Sequence, residues 1–239
     1  MKKLISNFLL GASILTISAC TKPDNYPGPN ASFQGRFIDA TTHANFETSQ
    51  NSIQVQLEQI SWSATPTPQF IPSKSDGTFE DTKLFKGTYR IIPKGGAFWP
   101  VYDSVKMDIT QGSSHDFELT PYIVIKNLTH ELVGTTLTLK YDIDAPVVAG
   151  LPTIIDTQPY VNTTKLVGAG ASIRDYSEVH AVGINKEFID LAPADKSITL
   201  TIPDLIKGRT FFVRVGVRLN DSFKSSNFSE VIQIDVPNQ

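Results

Sequence analysis

The sequence predicts an all-β chain: two tandem β-sandwich domains behind an export leader at residues 1–19. Three observations carry that reading. Apolar and polar residues alternate one by one along many short stretches, the period of a strand with one buried and one wet face. Turn residues recur about every 8–12 residues, and no window of a dozen residues sustains helical spacing. The composition, 40% hydrophobic and 19% charged over 239 residues, is enough to fill the cores of one or two domains.

The leader is the first element. Lys2 and Lys3 form a basic start, Leu4 to Ile17 an apolar run, and Ser18-Ala19 the small residues a signal peptidase requires. Ser6, Asn7 and Gly11 interrupt the run, which is shorter than the roughly 20 apolar residues of a membrane span. Cys20, the single cysteine, follows directly, so no disulfide can form within the chain. A cysteine at this position resembles the lipobox of bacterial lipoproteins. The resemblance implies a lipoprotein signal peptide at 1–19, with Cys20 acylated as the mature N-terminus. At about 0.8 kcal/mol per buried methylene, two or three acyl chains hold a protein at a membrane. No later segment approaches the length of a span, so the lipid is expected to be the membrane attachment.

Residues 20–30 hold three prolines and a glycine in the stretch Thr21 to Asn30. They read as an extended tether, similar to those of surface-displayed lipoproteins of Bacteroidetes-type bacteria. Loss of Lys2 and Lys3 with the leader takes the formal charge from −3 to −5. Neither a basic stripe nor a basic arm is present, so nucleic acid is not an expected partner.

The first sandwich is assigned to residues 31–121. Ile53, Val55 and Leu57 alternate with Gln54, Gln56 and Glu58; Val105, Met107 and Ile109 repeat the pattern, and Phe117 and Leu119 extend it beyond a Gln111-Gly112 turn. Asp76-Gly77 reads as a tight turn, Phe79 and Leu84 as core anchors, and Gly87 as a corner before the strand Tyr89–Ile91. The run Asp76-Gly77-Thr78-Phe79, then Leu84, Gly87, Thr88 and Tyr89, resembles the signature of carboxypeptidase-regulatory-like domains, which are small transthyretin-like sandwiches. With Gly35-Arg36-Phe37-Ile38-Asp39, Gly96-Ala97-Phe98 and Asp116 to Tyr122 it resembles the N-terminal domain of the DUF3823 family of Bacteroidetes lipoproteins.

The second sandwich is assigned to residues 122–239, abutting the first without a flexible linker. Leu137, Leu139, Tyr141 and Ile143 alternate with polar residues, as do Ile198, Leu200 and Ile202 and then Phe211, Val213, Val215 and Val217. The spacing from Leu205 to Phe211 resembles the corner between two strands of a fibronectin type III domain. That corner normally carries a tyrosine whose hydroxyl bonds back to the main chain, and Phe211 lacks the hydroxyl. The run Asn227 to Val236 supplies a last strand with Val231, Ile232, Ile234 and Val236, as the resemblance to the C-terminal DUF3823 domain implies.

Chemistry-bearing motifs are scarce. His43, His115, His130 and His180 have no metal-ligand spacing, and His115 is expected to be solvated beside a turn. Asp142 and Asp144 lack the dense oxygen spacing of a calcium loop. Ser172 and Ser222 have no nucleophile-elbow context. The expectation is therefore a non-enzyme with no catalytic residue, no metal and no cofactor.

Aromatics in loops remain. Trp62 opens the loop after the strand ending near Ile60, and Trp99 and Tyr102 lie in the loop that follows Gly95-Gly96. The indoles are expected to plug the end of the N-terminal core; if a glycan or partner surface exists, Trp62, Trp99 and Tyr102 are its candidate contacts. The DUF3823 resemblance implies an accessory of a SusC/SusD-type glycan importer, with importer proteins and glycan as partners and the outer-membrane surface as location. The alternative is a structural pilus or adhesin subunit, whose assembly would involve cleavage after an arginine and donation of a strand. Arg36 falls inside the first strand, and little sequence follows the last.

Overall fold

The computed structural model describes residues 27–238, so Cys20 and the leader lie outside the described residues. The first eight strands are β1 (Ala31–Asp39), β2 (Ile53–Gln59), β3 (Gln69–Pro72), β4 (Thr78–Leu84), β5 (Gly87–Gly95), β6 (Val105–Ile109), β7 (Ser113–Ser114) and β8 (Phe117–Leu119). They form two sheets. β1 is flanked by antiparallel β4 and by parallel β7 and β8, and the second sheet runs β3-β2-β5-β6. Between them lies an aromatic core in which Phe33, Phe37, Phe79 and Phe117 pack with ring centroids 5.1–6.1 Å apart. Ile53, Val55 and Leu57 point inward and are fully buried, as the alternation of β2 requires.

The predicted Asp-Gly turn has a physical reason at both residues. Asp76 accepts hydrogen bonds from the Thr78 amide (3.0 Å) and hydroxyl (2.7 Å). Gly77 takes φ +76°, and any side chain there would strike the Phe46 carbonyl. Arg36 lies within β1, opposite Thr78, and pairs with Asp116 at 2.9 Å. Cutting after it would remove most of β1. His115 is half-buried and stacks edge-on against Phe117 at 4.8 Å, so the expected solvated ring is corrected: the turn returns the chain onto the core.

The second eight strands are β9 (Val124–Val133), β10 (Thr136–Asp144), β11 (Ile154–Asn162), β12 (Val182–Lys186), β13 (Ser197–Ile202), β14 (Thr210–Leu219), β15 (Ser226–Phe228) and β16 (Ile232–Asp235). The sheet β13-β10-β9 faces the sheet β12-β11-β14-β15, with β16 also paired to β14. This core is aliphatic at its centre: Leu137, Leu139, Ile202, Val213, Val215 and Val217 are fully buried. The hydroxyl that Phe211 lacks comes from elsewhere. Tyr176, in a short 3-10 turn, stacks edge-on against Phe211 at 5.6 Å and donates to the Asp204 carbonyl at 3.2 Å. The corner is thus held by a tyrosine from another part of the chain.

The joint is buried. Tyr122 and Ile123 connect β8 to β9 and are nearly inaccessible, and the Asn227 side chain spans the seam. Its oxygen accepts from the Ile123 amide at 2.9 Å while its nitrogen donates to the Ala97 carbonyl at 2.8 Å. Ala97, from the first sandwich, packs into the core of the second.

Candidate functional site

Two grooves flank the joint, separated by the consecutive residues Tyr122 and Ile123. The first is shaped by the end of β5. Gly95 and Gly96 both take positive φ, +75° and +79°, conformations that only glycine adopts readily. The two turn the chain out of the sheet toward the second sandwich. There the Tyr122 amide donates to Ala97 (3.1 Å) and the Trp99 amide donates to Thr120 (2.9 Å), which fixes the loop carrying Trp99 and Tyr102.

The facing wall is the turn between β14 and β15. Asp221 holds it by accepting from the Ser225 amide at 2.7 Å, and the Asn220 amide donates to Thr153 at 2.8 Å. This turn presents Phe223, 71% exposed, across the groove from the loop that presents Tyr102, 87% exposed. Between the turn and the loop lies a space of about 170 Å³ with Lys94, Pro100, Val101, Tyr122, Asp221 and Ser222 in its lining. That is smaller than the roughly 300–1,000 Å³ of enclosing small-molecule pockets. The site is a ledge with aromatic edges and a polar rim, able to meet one face of a flat ligand. Burial, with Asp221 and Tyr102 nearby, pushes the Tyr122 phenol above its usual range, so it stays a neutral hydrogen-bonding group at physiological pH.

Trp99 is placed differently from the expectation. Its ring packs against the core of the second sandwich, edge-on to Tyr122 at 5.4 Å and beside Gly150. It wedges the joint instead of plugging the first core, because Gly95-Gly96 carry the chain across the seam. Its buried indole nitrogen has no hydrogen-bond partner among the described residues. Trp62 is 72% exposed and so does not plug the core either. It also stands apart from Trp99 and Tyr102. Gln59 pairs with Tyr89 at one end of the β2–β5 ladder and Ile53 with Gly95 at the other, a separation of about 20 Å. The three candidate aromatics therefore do not form one site; the groove beside the Trp99–Tyr102 loop is lined by Phe223 instead.

The second groove, about 300 Å³, is lined by Asp39, Asn45, Phe46, Glu47, Leu128 and Glu230 among others. Behind it is a clasp. Arg214 of β14 is wholly buried; it donates to the Thr48 carbonyl at 2.7 Å, approaches the Glu47 carboxylate at 3.5 Å and lies over the Phe228 ring at 4.0 Å. Ser49 Oγ accepts from the Ala169 amide at 3.0 Å, a further bond across the seam. Burial raises Glu47 to about 7, opposed in part by Arg214 and assisted by Glu230 and Asp76. Burial also lowers Arg214 to about 10, which leaves it charged. A perturbed acid in a groove is a feature of catalytic sites, yet structural ion pairs perturb acids as well. Here the carboxylate faces Arg214 and the perturbation belongs to the clasp.

The remaining acids have structural partners. Asp142 is held down by Asn127 and Ser197, and Asp144 by Lys126. Among the described residues no three or more His, Cys, Asp or Glu are grouped to hold a metal, and no helix is long and apolar enough to cross a membrane.

Residues 31–120 match the profile described as protein of unknown function (DUF3823) N-terminal domain, and residues 123–233 match the domain of unknown function DUF3823_C. Solved structures with this fold include a DUF3823 family protein from Bacteroides uniformis (TM-score 0.75, 21% identity) and one from Parabacteroides merdae (0.69, 21%). A third, from Bacteroides uniformis, is called "a putative carbohydrate binding protein" (0.68, 20%). Each likeness covers 87% of this chain and 100% of the other. No curated protein matches the chain.

Proposed function

The chain belongs to the DUF3823 family, and on that premise we propose that it is a non-enzymatic, lipid-anchored protein of the outer-membrane surface that binds glycan at its domain joint. It serves as an accessory of a SusC/SusD-type importer. One observation carries the binding role: exposed Phe223 lines a shallow ledge whose rim offers Lys94, Asp221 and Ser222, and exposed Tyr102 follows directly on Pro100 and Val101 of the same lining. Sugar rings have flat apolar faces and hydroxyl edges, which suit aromatic side chains combined with polar groups. The relative called "a putative carbohydrate binding protein" supports the same reading. The leader and Cys20 support the anchor.

The test is recovery from native outer membranes after crosslinking, using the native chain, Tyr102→Ala/Phe223→Ala and Cys20→Ala. The expected result is capture of an importer pair and its polysaccharide by the native chain. Polysaccharide is lost with the aromatic double variant, and membrane association is lost with Cys20→Ala. Recovery of self-polymers alone would overturn the reading and favour a pilus subunit.

A further inference from the structure

The end of the first sandwich opposite the joint gathers features of a different kind. Ala31, where the chain enters β1, pairs with Leu84, and the Ser32 amide donates to Thr110 at 3.1 Å. The β4–β5 turn at Phe85-Lys86 and the β2–β3 loop that begins at Ile60 lie at this same end. They are linked by Gln59 Nε2 donating to the Lys86 carbonyl (3.4 Å) and by the Thr88 amide donating to Ser61 Oγ (3.0 Å). The residues presented here are Trp62, 72% exposed, and Phe85, 46% exposed, with Lys83 and Lys86 also exposed. The Phe85 main chain is held by the Tyr89 hydroxyl, which donates to its carbonyl at 2.7 Å, so the turn is a fixed support.

We propose that this end is a membrane-facing surface: Trp62 and Phe85 seat in the headgroup layer of the bilayer, with Lys83 and Lys86 at the level of the lipid phosphates. Tryptophan is favoured at membrane–water interfaces because its ring is apolar and its N–H is polar, and lysine extends its stem along apolar surface while its head stays wet. The position of the chain entry selects a bilayer as the occupant. Cys20 precedes Ala31 by eleven residues, which span at most about 40 Å when fully extended, so an acylated Cys20 confines this end to within that reach of the membrane. Asp81 and Asp108 lie nearby, but Asp81 accepts from the Lys83 amide and Asp108 from the Thr88 hydroxyl. The aromatic pair provides the contact, and net charge does not. The inference rests on the lipid-anchor reading, and it gives Trp62 a role separate from the glycan ledge.

The experiment places acylated protein from native membranes in phosphatidylethanolamine/phosphatidylglycerol vesicles carrying brominated acyl chains. It compares the tryptophan emission of the native chain with that of Trp62→Phe, so that the difference reports Trp62 alone. The expected result is loss of most of the Trp62 emission, with a shift to shorter wavelength. Vesicle flotation and the mass of the Cys20 peptide are read on the same preparations. Protein that floats, is acylated and keeps its Trp62 emission overturns the membrane seat and leaves the anchor standing. Protein without an acyl group at Cys20 overturns the anchor, and the seat with it.

Discussion

The two sides of the domain joint are built from opposite materials. On one side a buried cation, Arg214, reaches across to Thr48 and Glu47, and Ser49 meets Ala169. On the other, exposed Phe223 lines an open ledge, next to the loop that carries exposed Tyr102. The first side is made of groups that are costly to leave unpaired, and the second of groups that satisfy no obvious packing need. The difference teaches that the joint is a locked seam supporting an open surface. A ledge assembled from two domains is useful only if the domains keep their relation, because alignment held in advance reduces the ordering cost of binding.

The largest expected break in that contrast is Arg214→Ala. It removes the donor to Thr48 and the counter-charge of Glu47 and leaves a cavity against Phe228, so unfolding free energy should fall by about 3–5 kcal/mol, read by chemical denaturation at pH 7. Arg214→Met, which keeps much of the volume without the charge, should lose less. Equal losses for the two variants would show that the charge and its hydrogen bonds, and not the volume, hold the clasp. Asn227→Ala comes next. It orphans a buried amide at Ile123 and takes one of two donors from the Ala97 carbonyl, which keeps the Tyr122 amide, for an expected loss of about 1–3 kcal/mol. A loss near zero would mean that the seam does not depend on this bridge.

Acidity sharpens the comparison further, because Glu47 titrates on the clasp side. Its folded value of about 7 lies above the ordinary 4.5, so folding favours the protonated carboxyl. The associated stability is fully present below about 4.5 and is lost as pH rises through about 7. With solvent screening at a partly exposed group, the change is on the order of 1–2 kcal/mol. Denaturation midpoints at pH 5 and pH 8 should differ in that direction, and Glu47→Gln should flatten the difference. Arg214, Glu230 and Asp76 face the same group, and a slope that survives Glu47→Gln would show that Glu47 is not its source.

Legibility in the sequence followed the range of the interactions. The strand of Ile53, Val55 and Leu57 and the turn at Gly77 depend on neighbours a few residues away, and both are readable. Arg214 was not. It interrupts the alternation of Val213 and Val215 at a position that the period assigns to solvent, yet it is buried because the first sandwich covers that face. Phe223 gave no signal as a lone aromatic in a polar turn; it becomes part of a site only where that turn meets the loop after β5. Trp99 was readable as a loop-borne indole, but which domain it packs against depends on how the sandwiches meet. Tyr176 likewise replaces the missing hydroxyl of Phe211 from a stretch with no local mark of that role.

The smallest expected effect on stability tests the open side. Tyr102 and Phe223 project into solvent, and surface substitutions away from buried features usually change stability by no more than about 0.5 kcal/mol. Tyr102→Ala and Phe223→Ala should therefore leave denaturation curves nearly superimposed on the native one while retardation in polysaccharide-containing gels is reduced. Trp99→Ala is the control for the wedge, since its ring packs on the second core beside Tyr122 and its loss should cost stability together with binding. If Tyr102→Ala and Phe223→Ala also lowered stability by several kcal/mol, the exposed pair would belong to the seam. If they changed neither property, the open side would have no role in binding. Loss of binding at constant stability is the result that separates a supporting seam from a working surface.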